Sequence, residues 1–274
     1  MSPESENPAL PSRVRGLTLL GALALLVAGL GLFFAPAIVR PLWPWPIGAY
    51  SGFFWGAVCL AALSAVALAL YYARWWPARL VLPMLVVFSG SELIVSVINL
   101  QRFHWERWTT WVWFSLNLGL PLLVGEYLWR RRDQPPPDAY PTPESWSRLL
   151  QVLALVLGLY GLGLFLLPAL FGAFWPWPVD SFNGQLYSVV FTTAAVGAVG
   201  LCRWAAPVER LALGVSYAVL GLFTLFALII ADATQLRVAW DDPGVWVWLV
   251  SFVLLFFIGL ALIWWSSSQM QGSA

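Results

Sequence analysis

The chain has 274 residues, of which 61% are apolar and only 10% charged, with a mean hydropathy of +0.79. An ordinary soluble domain carries about 25% charged residues, so the composition excludes one and points to a multi-pass membrane protein. The formal net charge of +1 selects no partner by itself, and so few charges beside a bilayer give no reason to expect nucleic acid.

Apolar runs of about 20 residues, the length a helix needs to cross roughly 30 Å of hydrocarbon, occur at 16–38, 50–72, 79–101, 109–129, 149–172, 183–203, 210–232 and 245–265. They are continuous rather than alternating with a period of two, which excludes a membrane barrel. The expected fold is an all-α membrane protein with eight transmembrane helices.

All fourteen positive residues are arginine, compatible with a GC-rich bacterial genome. With the amino terminus in the cytoplasm, ten of them (Arg13, Arg15, Arg74, Arg79, Arg130, Arg131, Arg132, Arg148, Arg203 and Arg210) fall on that side, against Arg40, Arg102, Arg107 and Arg237 outside. That bias sets the orientation. Eight spans then put the carboxyl terminus in the cytoplasm too, and the expected location is the bacterial cytoplasmic membrane.

Residues 1–15 are polar and Pro-rich and are expected to be disordered. The first span ends at Pro36, and beyond it stands Trp43-Pro44-Trp45-Pro46. Proline lacks the amide hydrogen that a helix needs, and tryptophan prefers the headgroup layer. The block is therefore expected to lie extended along the outer surface, with Trp43 and Trp45 as interfacial anchors. Ser51 is the expected N-cap of the second span.

The third span has a polar face. Ser89, Glu92, Ser96 and Asn99 fall within about an 80° arc at 100° per residue. Glu92 lies near the bilayer midplane, where an acidic residue costs about 3 kcal/mol to insert. The thirteen Leu, Ile, Val and Phe residues of this span return roughly 4 to 8 kcal/mol, so the helix still inserts. The carboxyl group must find a partner or stay protonated. Asn117, at similar depth in the fourth span, is the expected partner. This stripe either binds a ligand, relays a proton or coordinates a cation, or it joins helices by hydrogen bonds.

Residues 130–148 form a charged, Pro-rich linker, after which the pattern restarts. From 29–46 against 161–178, eleven of eighteen positions are identical at an offset of 132, including Trp175-Pro176-Trp177-Pro178. Arg79 and Leu80 return as Arg210 and Leu211, and Trp105, Trp111 and Trp113 as Trp240, Trp246 and Trp248. The chain is therefore read as two tandem four-helix repeats, 16–129 and 149–265, with a cytoplasmic tail at 266–274. An even number of spans per repeat makes both halves face the same way. At the offset of 131 the polar stripe becomes Leu220, Phe223, Ala227 and Ile230, so any site belongs to the first half.

Cys59 and Cys202 sit at different depths, which argues against a disulfide. His104 has no partner cluster, so no metal or cofactor is expected. No phosphate loop, hydrolase elbow or nucleophile-base pair occurs. The proline-terminated first span with Trp-Pro-Trp-Pro beyond it resembles uncharacterised bacterial multi-pass membrane proteins built from four-helix units, a resemblance that carries no activity.

The function expected is a non-catalytic accessory or scaffold component. Its partners are the lipid bilayer and either another membrane protein or a second copy of itself, met through a Trp-rich outer interface. The alternative is a small-solute or proton-coupled transporter or channel with its site around Glu92. A lipid-modifying enzyme ranks third.

Overall fold

The computed structural model describes residues 7–132, 140–234 and 238–271. Among them are eight long helices: α1 (Ser12–Phe34), α2 (Ala49–Tyr72), α3 (Trp75–Ile98), α4 (Trp108–Arg131), α5 (Glu144–Leu166), α6 (Ser181–Leu201), α7 (Pro207–Ala233) and α8 (Pro243–Gln271). Seven are long and apolar enough to cross a membrane. The exception is α4, whose apolar residues are diluted by four tryptophans, Asn117 and Glu126.

Proline sets where α1 and α5 break. The ring of Pro36 disfavours helical backbone at the residue before it, and Ala35 accordingly leaves the helix at φ −134°, ψ 50°. Leu167, before Pro168, does the same at φ −132°, ψ 57°. A short helix follows each break, Pro36–Val39 and Pro168–Phe171. Each folds back onto a glycine. A Cβ on Gly31 would collide with the Val39 side chain, and one on Gly163 would come within 2.5 Å of Phe171.

Several boundaries differ from the sequence reading. Helix α1 starts at Ser12, and Ala9 bridges to Arg74, so residues 7–15 lie against the α2–α3 turn; the expected disorder of residues 1–6 lies outside the described residues. Helix α2 starts behind Gly48, which places Ser51 inside the first turn rather than at the cap. There its hydroxyl accepts a hydrogen bond from Tyr187 Oη at 2.7 Å. Helix α8 continues through the expected tail to Gln271, and residues 272–274 lie outside the described residues. The linker leaves only residues 132–143 between helices. Residues 133–139 lie outside the described residues, and β1 (Tyr140–Pro141) pairs antiparallel with β2 (Trp204–Ala205).

The helices pack in matched pairs. Helix α1 lies on α2 and α5 on α6; α3 lies on α4 and α7 on α8; α2 packs across onto α7, and α6 onto α3. Small residues set how closely they approach. A Cβ on Gly29 would meet the Leu60 backbone nitrogen at 3.2 Å, and one on Gly161 the Thr192 nitrogen at 3.1 Å.

Contacts between loops define two ends. At one, Arg79 Nε and Nη2 donate to the two carboxylate oxygens of Glu209 at 2.8 and 2.7 Å, a bidentate pair between α3 and α7. The Ala9–Arg74 bridge and the β1–β2 pairing lie with it. At the other end His104 N donates to Pro44 O at 2.8 Å, joining the α1–α2 and α3–α4 connections.

The tightest crossing joins α7 to α8. A Cβ on Gly259 would collide with the α7 backbone at Ala218 and lie 2.6 Å from Gly214 O. Gly259→Ala is expected to destabilise the purified protein by about 1 to 3 kcal/mol through overpacking. Gly125→Ala, where nothing lies within 4 Å, should hold or raise the melting temperature, alanine being the better helix former; equal losses in both variants would refute the packing argument.

Candidate functional site

The two Trp-Pro-Trp-Pro blocks turn their side chains inward, contrary to the expectation of surface anchors. Trp43, Trp45, Trp175 and Trp177 are each between 0% and 7% exposed. Proline at alternate positions leaves this backbone with carbonyls to satisfy and few amides to donate. In the first block α4 and the turn before it meet that need. Arg107 Nη1 donates to Trp43 O and Thr109 Oγ1 to Leu42 O, both at 2.5 Å, in addition to the His104 bond to Pro44 O.

The indoles then pack edge to face, the arrangement that ring quadrupoles favour. Trp113 lies 6.3 and 4.9 Å from Trp43 and Trp45, and Trp248 lies 5.9 and 5.4 Å from Trp175 and Trp177. The halves also exchange rings. Phe182 of the second half meets Trp45 at 5.6 Å, while Tyr50 of the first stacks on Trp177 at 5.3 Å.

Beneath the first block lies a cavity of about 260 Å³ bounded by α1, α2, α3 and α4. Its roof is Leu42, Trp43 and Pro44, and its walls include Trp55, Phe88 and Trp113. Ser89, Glu92 and Asn117 supply its polar lining. Glu92 is 3% exposed, and Asn117, also buried, lies near enough to interact with its carboxyl group. The cavity is flanked by exposed Val27 of α1 and Trp108 and Val112 of α4. Gly21 of α1 and Leu120 of α4 close together on its other side, with a Gly21 Cβ 3.5 Å from the leucine. The opening is therefore on the flank of the bundle between α1 and α4.

The rest of the polar stripe is used elsewhere. Ser96 accepts from Trp113 Nε1 at 2.9 Å and so holds a wall residue in place. Asn99 turns to the second half and donates to Gln185 Oε1 at 2.9 Å. Ser89 donates to Leu85 O in its own helix at 2.7 Å while lining the cavity. Away from the cavity, Asp232 accepts from Val238 N and Trp240 Nε1, both at 3.0 Å, and acts as a loop anchor.

The corresponding volume in the second half is filled. Position 28 is alanine and position 160 tyrosine; position 59 is cysteine and position 191 phenylalanine; position 117 is asparagine and position 252 phenylalanine. Tyr160 meets Phe191 at 4.7 Å, Phe191 meets Phe252 at 6.4 Å, and Trp248 meets Phe252 at 4.6 Å. Trp175 Nε1 donates to Tyr160 Oη at 2.7 Å. In the first half no tyrosine stands at position 28, and Trp43 Nε1 is buried without an acceptor among the described residues, as are Trp45 Nε1 and Trp55 Nε1 and, in the second half, Trp248 Nε1.

Sequence reasoning named Glu92, Asn117 and Ser89 but missed the space above them. The available signals were Gly21, Ala24 and Ala28 along one face of α1, all of which line the cavity, and the small-for-large exchanges between the halves.

The fold and site together define an all-α, membrane-type helical bundle with an apolar cavity floored by one carboxyl–carboxamide pair. No protein-family model, curated protein or solved structure matches the chain.

Leaving a buried carboxyl group unpaired is costly, whereas removing both partners can be nearly neutral. Asn117→Leu is expected to lower stability by about 1 to 3 kcal/mol, and the double variant Glu92→Leu/Asn117→Leu to recover part of that loss. Thermal unfolding in detergent measures both; additive losses would show that the two side chains are not coupled.

Proposed function

We propose that the chain is a non-catalytic, eight-span protein of the bacterial cytoplasmic membrane, built from two same-facing four-helix repeats, whose first half binds a membrane-soluble amphipathic molecule. The observation that carries the binding reading is an apolar cavity with two neighbouring polar groups, Glu92 and Asn117, and exposed residues of α1 and α4 at its flank. Ligand sites are mostly apolar concavities with a few convergent polar groups. A molecule entering between α1 and α4 would leave the bilayer without crossing water, lay its apolar body against Trp55, Phe88 and Trp113, and direct its polar end to Glu92 and Asn117.

The repeat is supported by structure beyond the shared block. The breaks at Ala35 and Leu167 have nearly the same backbone angles, and the main pairings of the first half, α1 with α2 and α3 with α4, recur as α5 with α6 and α7 with α8. Helix α4 belongs among the spans because it packs along α3 as α8 packs along α7. The arginine bias argues for cytoplasmic termini. Tags at residue 140 and after residue 274 are expected to be reached from the same face of the membrane; labelling from opposite faces would overturn the arrangement.

The second half is the filled counterpart of the first, which supports treating the cavity as a ligand site rather than a packing fault. Organic extraction of the purified protein is expected to recover about one lipid-like molecule per chain. Ala28→Tyr, which installs the second half's residue, should remove it, and Glu92→Gln should reduce recovery about ten-fold. Recovery from Ala28→Tyr equal to wild type would refute the reading.

A second reading, an accessory component that meets a membrane-protein partner, is favoured by one observation. Trp105 with Trp111 and Trp240 with Trp246 form exposed pairs 5.5 and 5.8 Å apart at the outer end of each half. A stoichiometric partner retained in gentle detergent, and lost in Trp111→Ala/Trp246→Ala, would establish it.

A further inference from the structure

A guest that needed only hydrogen bonds would be served by Ser89 and Asn117, which line the cavity with Glu92. What the carboxyl group adds is the capacity for a negative charge, and that capacity is costly in hydrocarbon. It occurs only where there is space beside it: at the offset of 131, Phe88 and Glu92 have Val219 and Phe223 as counterparts in the filled half. Arg79, Arg130 and Arg148 pair with Glu209, Glu126 and Glu144, and no arginine pairs with Glu92 among the described residues. The first half thus buries an acid at the edge of an open volume, with no cation of the described chain to meet it.

The lining selects the kind of cation. Calcium takes about six to eight oxygens, whereas the polar side chains here are Ser89, Glu92 and Asn117. Zinc needs three or more His, Cys or acidic ligands, and no such group exists among the described residues. The remaining walls are aromatic: Trp55 and Phe88 lie 6.5 Å apart, Trp43 and Trp113 6.3 Å apart. Ring quadrupoles attract a cation, more strongly where water is excluded, and aromatic-lined sites suit alkylated ammonium groups. A primary ammonium is compact and strongly hydrated; alkyl groups on nitrogen exchange that hydration for contact with rings. Pairing with such a cation offsets the cost of an ionised carboxylate in the interior. Exposed Val27 and Val112 flank the cavity, where an apolar remainder can stay in lipid.

We infer that the molecule bound in the cavity is a membrane-soluble alkylated ammonium: its positive nitrogen is paired with the Glu92 carboxylate among the aromatic walls, and its apolar remainder lies toward α1 and α4. This inference rests on the ligand-binding reading above and adds the charge and chemical class of the guest. It concerns binding, and the guest undergoes no chemical change.

The test is calorimetric titration of the purified full chain in an uncharged detergent with benzyltrimethylammonium, and separately with neopentylbenzene, which has the same shape with carbon in place of the charged nitrogen. Wild type is expected to bind the cation about ten-fold more tightly than the isostere. Glu92→Gln, which keeps the shape of the side chain and removes its charge, should weaken cation binding about ten-fold and leave the isostere unaffected. Glu144→Gln, on the exposed start of α5, should change neither. Ala28→Tyr and Cys59→Phe should each abolish cation binding; the two are used because one of them could impair folding, which melting curves would reveal. If Glu92→Gln itself fails to fold, the wild-type preference between the two probes decides. Equal affinity of wild type for both probes, or equal affinity of wild type and Glu92→Gln for the cation, would overturn the ammonium class; isostere binding that Ala28→Tyr removes would then leave the ligand-binding reading standing. No binding of either probe, with no molecule recovered by extraction, would remove both. Equal uptake of the cation by wild type and Ala28→Tyr would mean adsorption outside the cavity and would overturn the inference.

Discussion

A backbone that alternates tryptophan with proline can neither continue a helix nor pair as a strand, so its carbonyls must be satisfied by side chains and amides from elsewhere. In this chain that requirement draws Arg107, Thr109 and His104 onto the first block and brings the start of α4 with them. Once the backbone is held, the indoles are committed to the interior, where each half receives a ring from the other: Phe182 on Trp45, Tyr50 on Trp177. Edge-to-face and stacked pairs of this kind contribute about 0.5 to 1.5 kcal/mol each beyond the area they bury. The position of α4 relative to α1, and hence the width of the seam between them, follows from where the block is tied.

The cavity sits where the two halves of the chain, alike in several features, differ. Both have the proline break, the glycine that receives the short helix, and the tryptophan that covers the block. They part where side-chain volume matters: alanine, cysteine and asparagine in one, tyrosine and two phenylalanines in the other. Close-packed interiors do not tolerate missing rings without loss of stability. The first half keeps the space and adds Glu92 with Asn117 beneath it, groups that are unfavourable in hydrocarbon unless paired. A volume that is costly to leave empty, lined by groups that are costly to bury, is consistent with selection for an occupant.

Much of this was legible in the sequence. Apolar run length gave the helices, Pro36 and Pro168 their breaks, and helical spacing placed Ser89 and Glu92 on one face with Asn117 at the same depth. The inward turn of Trp43, Trp45, Trp175 and Trp177 was not legible, because the preference of tryptophan for the membrane edge fixes its depth and says nothing about which way the ring points. Nor was the start of α2, since Ser51 has the chemistry of a cap but the helix begins two residues earlier, behind Gly48. The cavity was recoverable in principle by reading position 28 against 160, 59 against 191 and 117 against 252, a comparison of volumes rather than of polarity. Asn99 belongs to neither pattern: its partner, Gln185, is contributed by a helix more than eighty residues away.

Helix α4 is the long helix least at home in hydrocarbon, and it is also the one that forms a wall of the cavity. Its tryptophans, Asn117 and Glu126 suit a site and hinder solitary partitioning from water into lipid. Such a segment would enter a bilayer more readily beside α3, against which it packs, than alone. In 108–131 the residues that line the cavity are thus also those that would make the helix reliant on its neighbour to enter a membrane.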